Sequence, residues 1–561
     1  MITSLLAPAL ALALVQAAAP TLPALIDRYV TDRRALERFH DLPWSSRRLD
    51  RLDAFGAEWA ARLDALPWDG LDRESRIDWI LLRNLVDRDA AERADVREKA
   101  ADDAPFLPFA GTILDLEHGR WTLEEVDGET AAETLDRLAE RIDAARQATE
   151  GDEAERPTPE QAKRLAGKVD GLKRWLDRWH AHGASFDPVF GWWTETPHRA
   201  AAEALDAYAR HLRETVAGLK GKDDDPIVGQ PLGVEALTRA LRHELLAESP
   251  AELIAVGERE FAWCDEELRK AADAAGLDGD VAAAIERVKD DHVAPGEQDE
   301  LVLSLAREAI AFLDDRDLVT IPPLCRETWR VDMMSPREQR MLPFAYYGGQ
   351  KMVAAFPTDS MPHETKRQAM RGNNVAFTRC VTPHELIPGH HLQGFVGERE
   401  RTHRRPFRTP FLGEGWCLYW EFRFLDLGWA RTPEERVGML VWRRHRAARV
   451  LLSLKYHLGE ISTAEMIDFL VERAGLERDG ATGEVRRWID GGYGPLYQCA
   501  YLIGGKQMEA LRREVGDRMS ERAFHDAVLA RNSIPIAMIR AGLLEEVELT
   551  RPFTPTWRIG G

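Results

Sequence analysis

The chain has 561 residues, 44% of them hydrophobic and 30% charged, and a formal charge of −20. That length accommodates a large buried core and more than one lobe, and the balance is globular rather than disordered or fibrous. The acidic excess argues against nucleic acid and anionic membrane as partners.

Residues 1–19 read as an apolar run ending in small residues, with Val15-Gln16-Ala17 or Ala17-Ala18-Ala19 as cleavage sites, so a signal peptide is expected. The mature protein is then periplasmic or secreted; it is cytoplasmic if the segment is not cleaved. No cysteine follows the run and it is too short for a confident span, so no membrane anchor is expected after cleavage. Residues 20–220 form an expected N-terminal helical lobe, with Leu135, Leu138 and Ile142 as an i, i+3, i+7 stripe and a second helical segment from Ser75. The Trp192-Trp193 pair near Phe190 reads as core. Residues 218–233, with Lys-Asp-Asp-Asp-Pro and further glycines and prolines, make the best linker. A helical continuation occupies 221–330, with helices expected over 234–246 and 250–275. The five cysteines, Cys264, Cys325, Cys380, Cys417 and Cys499, form no CxxC pair and no disulfide framework, and read as buried thiols.

From 331 to 561 the expectation is a catalytic lobe. Between 319 and 382 the prolines and paired glycines exclude long helices, and two short runs read as strands: Phe344-Ala345-Tyr346-Tyr347 and Asn374-Val375-Ala376-Phe377-Thr378. One of them is expected to offer an edge to a substrate backbone by strand addition.

The stretch that carries chemistry is Thr382-Pro383-His384-Glu385-Leu386-Ile387-Pro388-Gly389-His390-His391-Leu392-Gln393. Neutral imidazoles are common zinc ligands, and a neighbouring carboxylate is suited to take the proton of a bound water. The usual zinc helix is H-E-x-x-H, whereas here Pro388 stands four residues after His384 and the histidines come at i+6 and i+7. Six residues of straight helix rise about 9 Å, too far for two imidazoles to share one ion. Pro388 disrupts the helix and Gly389 tolerates unusual dihedrals, so an excursion there brings His390 to the i+4 place. His384 and His390 are the expected ligands, with His391 as a supporting or alternate one and Glu385 as the base. In the segment that begins at Phe411, 20 residues after His391, Glu414, Leu418 and Glu421 share one helical face, and Glu414 is the candidate third ligand.

The pair His384-Glu385-x-x-Pro388-Gly389-His390-His391-x-Gln393 and Glu414-Gly415-Trp416-x-Leu418-Tyr419-x-Glu421 resembles the bacterial family known as domain of unknown function 885. Arg446-Ala447-x-Arg449 with His457-x-Gly459, Tyr501-Leu502-Ile503-Gly504, and Phe524-His525-Asp526 with Ile534-Pro535 agree with it. The resemblance covers most of the chain and is most specific over about 330–545. It implies a mainly α, multi-helical, zincin-like two-lobed fold similar to the neurolysin and angiotensin-converting-enzyme type, with a small edge β element near the metal site. Where relatives carry an acid before Lys455-Tyr456-His457, this chain has Ser453, which removes an orienting acid for His457.

Zinc-dependent hydrolysis of peptide bonds in short peptides is therefore expected, of carboxypeptidase or dipeptidyl-carboxypeptidase type. Tyr501, in the family-like segment, or His457 would stabilise the oxyanion. Arg446 and Arg449, on successive turns, are candidates for a substrate carboxylate, and Tyr497 for a further substrate contact. A metal-dependent amidase or esterase acting on non-peptide substrates, and a non-catalytic helical binding protein with a vestigial site, stay open. Serine-hydrolase and P-loop chemistry lack their motifs here.

Overall fold

The computed structural model describes residues 21–150, 156–222, 224–339, 342 and 344–560; the expected signal segment lies outside them. Helices dominate. The first seven are α1 (Leu22–Phe39), α2 (Ser46–Asp64), α3 (Arg73–Asp103), α4 (Ala110–Thr122), α5 (Gly128–Gln147), α6 (Pro159–Phe186) and α7 (Pro188–Arg210). After the loop through residue 233 come α8 (Val234–His243), α9 (Pro250–Ala274), α10 (Val281–Asp290), α11 (Gln298–Asp315) and α12 (Pro323–Glu327). Short strands β1 (Arg330–Met333), β2 (Ala345–Tyr347) and β3 (Lys351–Ala354) surround α13 (Pro336–Gln339). The rest is α14 (His363–Gly372), α15 (Val375–Glu385), α16 (His390–Gly397), α17 (Pro410–Asp426), α18 (Pro433–His457), α19 (Thr463–Glu472), α20 (Arg478–Asp490), α21 (Tyr497–Val515), α22 (Glu521–Leu529) and α23 (Ile536–Leu543).

Local chemistry starts these helices where the sequence says it should. Asp72, Asp127, Thr158 and Ser249 each accept a backbone N–H of the first turn, and Ser249 completes a capping box with Glu252. Leu135, Leu138 and Ile142 are fully buried on α5, as their spacing requires. Asn374 caps α15 by accepting the Phe377 N–H at 3.0 Å, so the run from Asn374 to Thr378 is a helix start and not the expected strand. Its β-branched and aromatic residues are there to pack: Ala376 and Phe377 are buried. Trp192 and Trp193 are likewise not core, since Trp192 is 76% exposed on α7.

The packing does not follow the expected boundary at 220. Helices α4–α7 close their own core, around Leu135, Leu165, Val169 and Tyr208. Helices α1–α3 join a different and larger one: Leu25, Ile77 and Leu82 belong with Leu313, Trp416, Trp420 and Phe524. A third core, with Leu237, Phe261, Leu418, Val450 and Leu502, binds α8 and α9 to α17–α21. Helix α17 contributes to both of the latter, and the chemistry-bearing residues sit at that junction. All five cysteines are free and buried.

The sheet order is β1–β3–β2, with β1 parallel and β2 antiparallel to β3. Strand β2 is an edge, as expected for the run ending at Tyr347, and it faces α15 and α16.

Candidate metal centre

Helix α15 ends at Glu385 and α16 begins at His390, so the proline breaks the helix as its chemistry demands. Residues 386–389 fold back tightly: the Gly389 N–H donates to the Pro383 carbonyl at 3.0 Å and the His391 N–H to the Leu386 carbonyl at 3.0 Å. A Cβ at Gly389 would lie 1.7 Å from the His384 carbonyl oxygen, so no other residue fits. The Trp416 indole N–H, from α17, donates to the Pro388 carbonyl at 2.8 Å and pins the turn.

This turn brings His390 onto His384, with ring centroids 5.1 Å apart. Glu414 Oε2, on α17, lies 3.6 Å from His384 Nε2 and 3.3 Å from His390 Nε2. Ligands at about 2.0–2.1 Å from a tetrahedral ion stand about 3.3–3.4 Å apart. Glu414 Oε2 is buried without a hydrogen-bond donor among the described residues, as the oxygen of a cation's ligand would be. The three donors fit zinc. The Cys417 sulfur also lies within 4.8 Å of the two histidine nitrogens. Its thiol is turned toward the Gly413 carbonyl at 3.6 Å, and burial beside Glu414 and Glu385 keeps it protonated, so the ionised carboxylate is the better third ligand.

The supports around these donors are as specific. Glu421 Oε1 accepts from His384 Nδ1 at 2.7 Å, fixing the tautomer that leaves Nε2 free as a ligand. Burial opposes charge on His384, but the Glu414 and Glu421 carboxylates beside it prevail and, with no cation bound, lift its pKa to about 10. Burial also opposes charge on Glu414, and the two imidazoles nevertheless hold it well below the usual carboxylate range. Such a site is short of positive charge. The Tyr497 hydroxyl donates to Glu414 Oε1.

Glycines set the height of α21 over this group. A Cβ at Gly504 would lie 1.8 Å from the Phe411 carbonyl oxygen, and one at Gly415 would lie 2.5 Å from the Gly504 backbone. The backbones of α17 and α21 thus touch, and Tyr497 and Tyr501, one turn apart on α21, reach over Glu414 and His384. The Tyr501 ring stacks at 6.3 Å from the His384 ring. Burial first, and then Glu414, raise the Tyr501 pKa, so its hydroxyl is a proton donor at neutral pH.

A cavity of about 370 Å³ opens onto His384 and Glu385, walled by Tyr347, Arg446 and Tyr501. Glu385 accepts no hydrogen bond from the described residues and faces this space. Arg446 lies with its guanidinium 4.8 Å from the Tyr501 ring centre and forms no ion pair among the described residues. A second cavity, of about 630 Å³, meets the first at His390, Glu414 and Tyr497.

Four expected roles are corrected. His391 is no ligand, because Nε2 donates to the Cys325 carbonyl at 3.0 Å and Nδ1 accepts from the Tyr347 hydroxyl at 3.2 Å, which ties β2 to α16. His457 stands at the far end of α18, about 16 Å along the helix from Arg446, and lines neither cavity. Arg449 is committed to Glu484 at 2.9 Å. Tyr497 spends its hydroxyl on Glu414 instead of on substrate. Sequence reasoning missed that Glu421 accepts from His384 and that Glu484 engages Arg449. Glu421 was detectable from its place seven residues after Glu414, whereas Glu484 has no local signal.

No curated protein matches the chain. Among solved structures it is similar to "a putative lipoprotein of unknown function" from Shewanella oneidensis, at 18% identity and TM-score 0.67 over 93% of this chain and 99% of that one. It is also similar to "the putative lipoprotein" from Colwellia psychrerythraea, at 15% identity and TM-score 0.58 over 94% and 99%. Both likenesses concern the fold. The model of a bacterial protein family of unknown function, DUF885, matches residues 32–543, and the chain belongs to that family.

Proposed function

We propose that the protein is a zincin-like metallopeptidase that hydrolyses peptide bonds in short peptides, with zinc held by His384, His390 and Glu414. The observation that carries this reading is the orphaned Glu414 Oε2 at 3.3 and 3.6 Å from two imidazole nitrogens, with Glu385 facing the same cavity. When bound, zinc supplies Lewis acidity and a water whose pKa is lowered toward neutrality.

Glu385 takes a proton from the attacking water as its oxygen bonds the scissile carbonyl carbon. It returns that proton to the amide nitrogen as the C–N bond breaks, giving a carboxylic acid and an amine, which exchange the remaining proton to become carboxylate and ammonium. The Tyr501 hydroxyl donates to the oxyanion that develops on the carbonyl oxygen. Arg446, buried and without an acidic partner among the described residues, receives the substrate C-terminal carboxylate. Strand β2, an edge beside His390 and His391, offers backbone groups to the substrate. The bounded cavities favour short peptides over folded proteins.

The test is hydrolysis of a peptide panel by the zinc-loaded protein, beside acyl esters and simple amides. Peptide cleavage lost in Glu385→Gln is the expected result. Turnover of esters alone, or no turnover by fully loaded protein, contradicts the peptidase reading. The apolar residues 1–19 and the two lipoprotein-described neighbours support an extracytoplasmic location, expected as recovery of the processed chain from the periplasm or medium. No helix among the described residues is long and apolar enough to cross a membrane.

A further inference from the structure

The larger cavity meets the metal centre at His390, Glu414 and Tyr497, is not lined by Arg446, and carries a carboxylate that the proposed chemistry does not use. Glu244, just after the last turn of α8, lines this cavity with Arg88, Glu92, Asp95 and Arg239. The other acids of that wall have partners: Asp95 takes both oxygens to Arg239 at 2.7 Å, and Glu92 lies 3.7 Å from Arg88. Glu244 has no cation at ion-pair distance among the described residues. It accepts one hydrogen bond, from the Thr409 hydroxyl at the N-terminus of α17. A carboxylate held in a cavity by one neutral donor, with no cation at ion-pair distance, is a poor structural device and a good receptor for an ammonium.

Helix α17 sets the scale of its separation from the reacting groups. Thr409 holds Glu244, and Glu414 follows five residues later on the same helix. Five residues of helix rise about 7.5 Å. An extended peptide covers that distance in about two residues, at about 3.3–3.6 Å each. In the other cavity the Arg446 guanidinium is 4.8 Å from the Tyr501 ring centre, itself 6.3 Å from the His384 ring, a separation that one or two extended residues and a terminal carboxylate cover.

We propose that Glu244 binds the free N-terminal ammonium of the substrate while Arg446 binds its free C-terminal carboxylate, so that the two cavities together select unblocked tri- and tetrapeptides. This rests on the peptidase reading and adds to it a substrate class and a specificity residue. Burial pushes the Glu244 carboxyl up, against the Thr409 hydrogen bond and the Arg88 charge, which is the state of an acid waiting for a cation. Glu244 in one cavity, without an ion pair among the described residues, and Arg446 in the other suit the two ends of a zwitterion that lies across His390 and Glu414, with exposed Arg408 at the rim of the first.

The test separates this inference from the reading beneath it. Full-length, zinc-loaded Glu385→Gln protein is titrated calorimetrically with an unblocked tetrapeptide, its N-acetyl form and its C-amide form. N-acetylation is expected to weaken binding at least tenfold. Adding Glu244→Gln, whose amide oxygen still accepts from Thr409, is expected to abolish that difference and leave the penalty for C-amidation. Equal affinity for the free and acetylated peptides overturns the inference, as does discrimination that survives Glu244→Gln or failure to bind any of the three. Wild-type hydrolysis read alongside keeps the two apart: acetylated peptides cleaved as fast as free ones refute the role of Glu244 and leave the peptidase reading standing. Tight binding of unblocked peptides without cleavage by wild type refutes the peptidase reading alone.

Discussion

Glu421 holds His384 by its back: the Glu421 Oε1 to His384 Nδ1 distance is 2.7 Å, and the opposite nitrogen points at Glu414. A carboxylate behind a ligating imidazole fixes its tautomer and raises its basicity. Glu421→Gln keeps the volume and removes the charge, so zinc affinity is expected to fall by about 10–100-fold while the fold persists. Competition with a chromophoric chelator reads this directly, and unchanged affinity would refute the supporting role.

Tyr501 and Tyr497 separate in the same way. Tyr501→Phe is expected to lower kcat by about 10²–10³ with zinc content and KM little changed, because its hydroxyl acts on developing charge. Tyr497→Phe releases Glu414 Oε1 and is expected to weaken zinc binding first, with activity restored by excess metal. Steady-state kinetics at two zinc concentrations distinguishes the two patterns.

Gly504 is a packing requirement. Gly504→Ala places a methyl 1.8 Å from the Phe411 carbonyl oxygen and 2.9 Å from the Gly415 Cα, so α17 and α21 must separate. The expected cost is about 1–3 kcal/mol or more, seen as a lower Tm, together with weaker zinc retention as Tyr497 lifts from Glu414. Exposed Gly483→Ala, with nothing near its Cβ, serves as the control.

Acid is expected to destabilise the protein through its buried neutral histidines. His525 donates from Nδ1 to the Leu318 carbonyl at 2.7 Å and accepts at Nε2 from the Tyr419 hydroxyl at 2.9 Å, and burial lowers its pKa to about 4. The unfolded chain takes up a proton near pH 6.5 that the folded one refuses until about pH 4. Its contribution is therefore whole above 6.5 and is lost progressively as pH falls toward 4, up to about 3 kcal/mol. Denaturant unfolding at pH 7, 5.5 and 4.5 should show this fall, and His525→Gln should flatten it.

The local parts of this account were legible in the sequence because they depend on near neighbours. Pro388 and Gly389 predicted the break that brings His390 to His384, and the Glu414-to-Glu421 spacing put both acids on one face of α17. Other features were not local. Nothing near Asn374 distinguishes a strand from a capped helix start until the cap forms, and the exposure of Trp192 depends on where α6 and α7 turn. The commitment of Arg449 to Glu484, 35 residues away, and the engagement of both His391 nitrogens, one by Cys325, are long-range pairings with no periodic signature. The same holds for Glu244, which is tied to α17 by the Thr409 hydroxyl, 165 residues away.

Metal content of the purified mature protein, beside His390→Ala, His391→Ala and Glu385→Gln, tests the central claim most directly. About one zinc per chain in wild type, His391→Ala and Glu385→Gln, and loss in His390→Ala, is the predicted result. A wild-type protein that binds no zinc when it is supplied, or one that keeps zinc in His390→Ala and loses it in His391→Ala, would contradict the account.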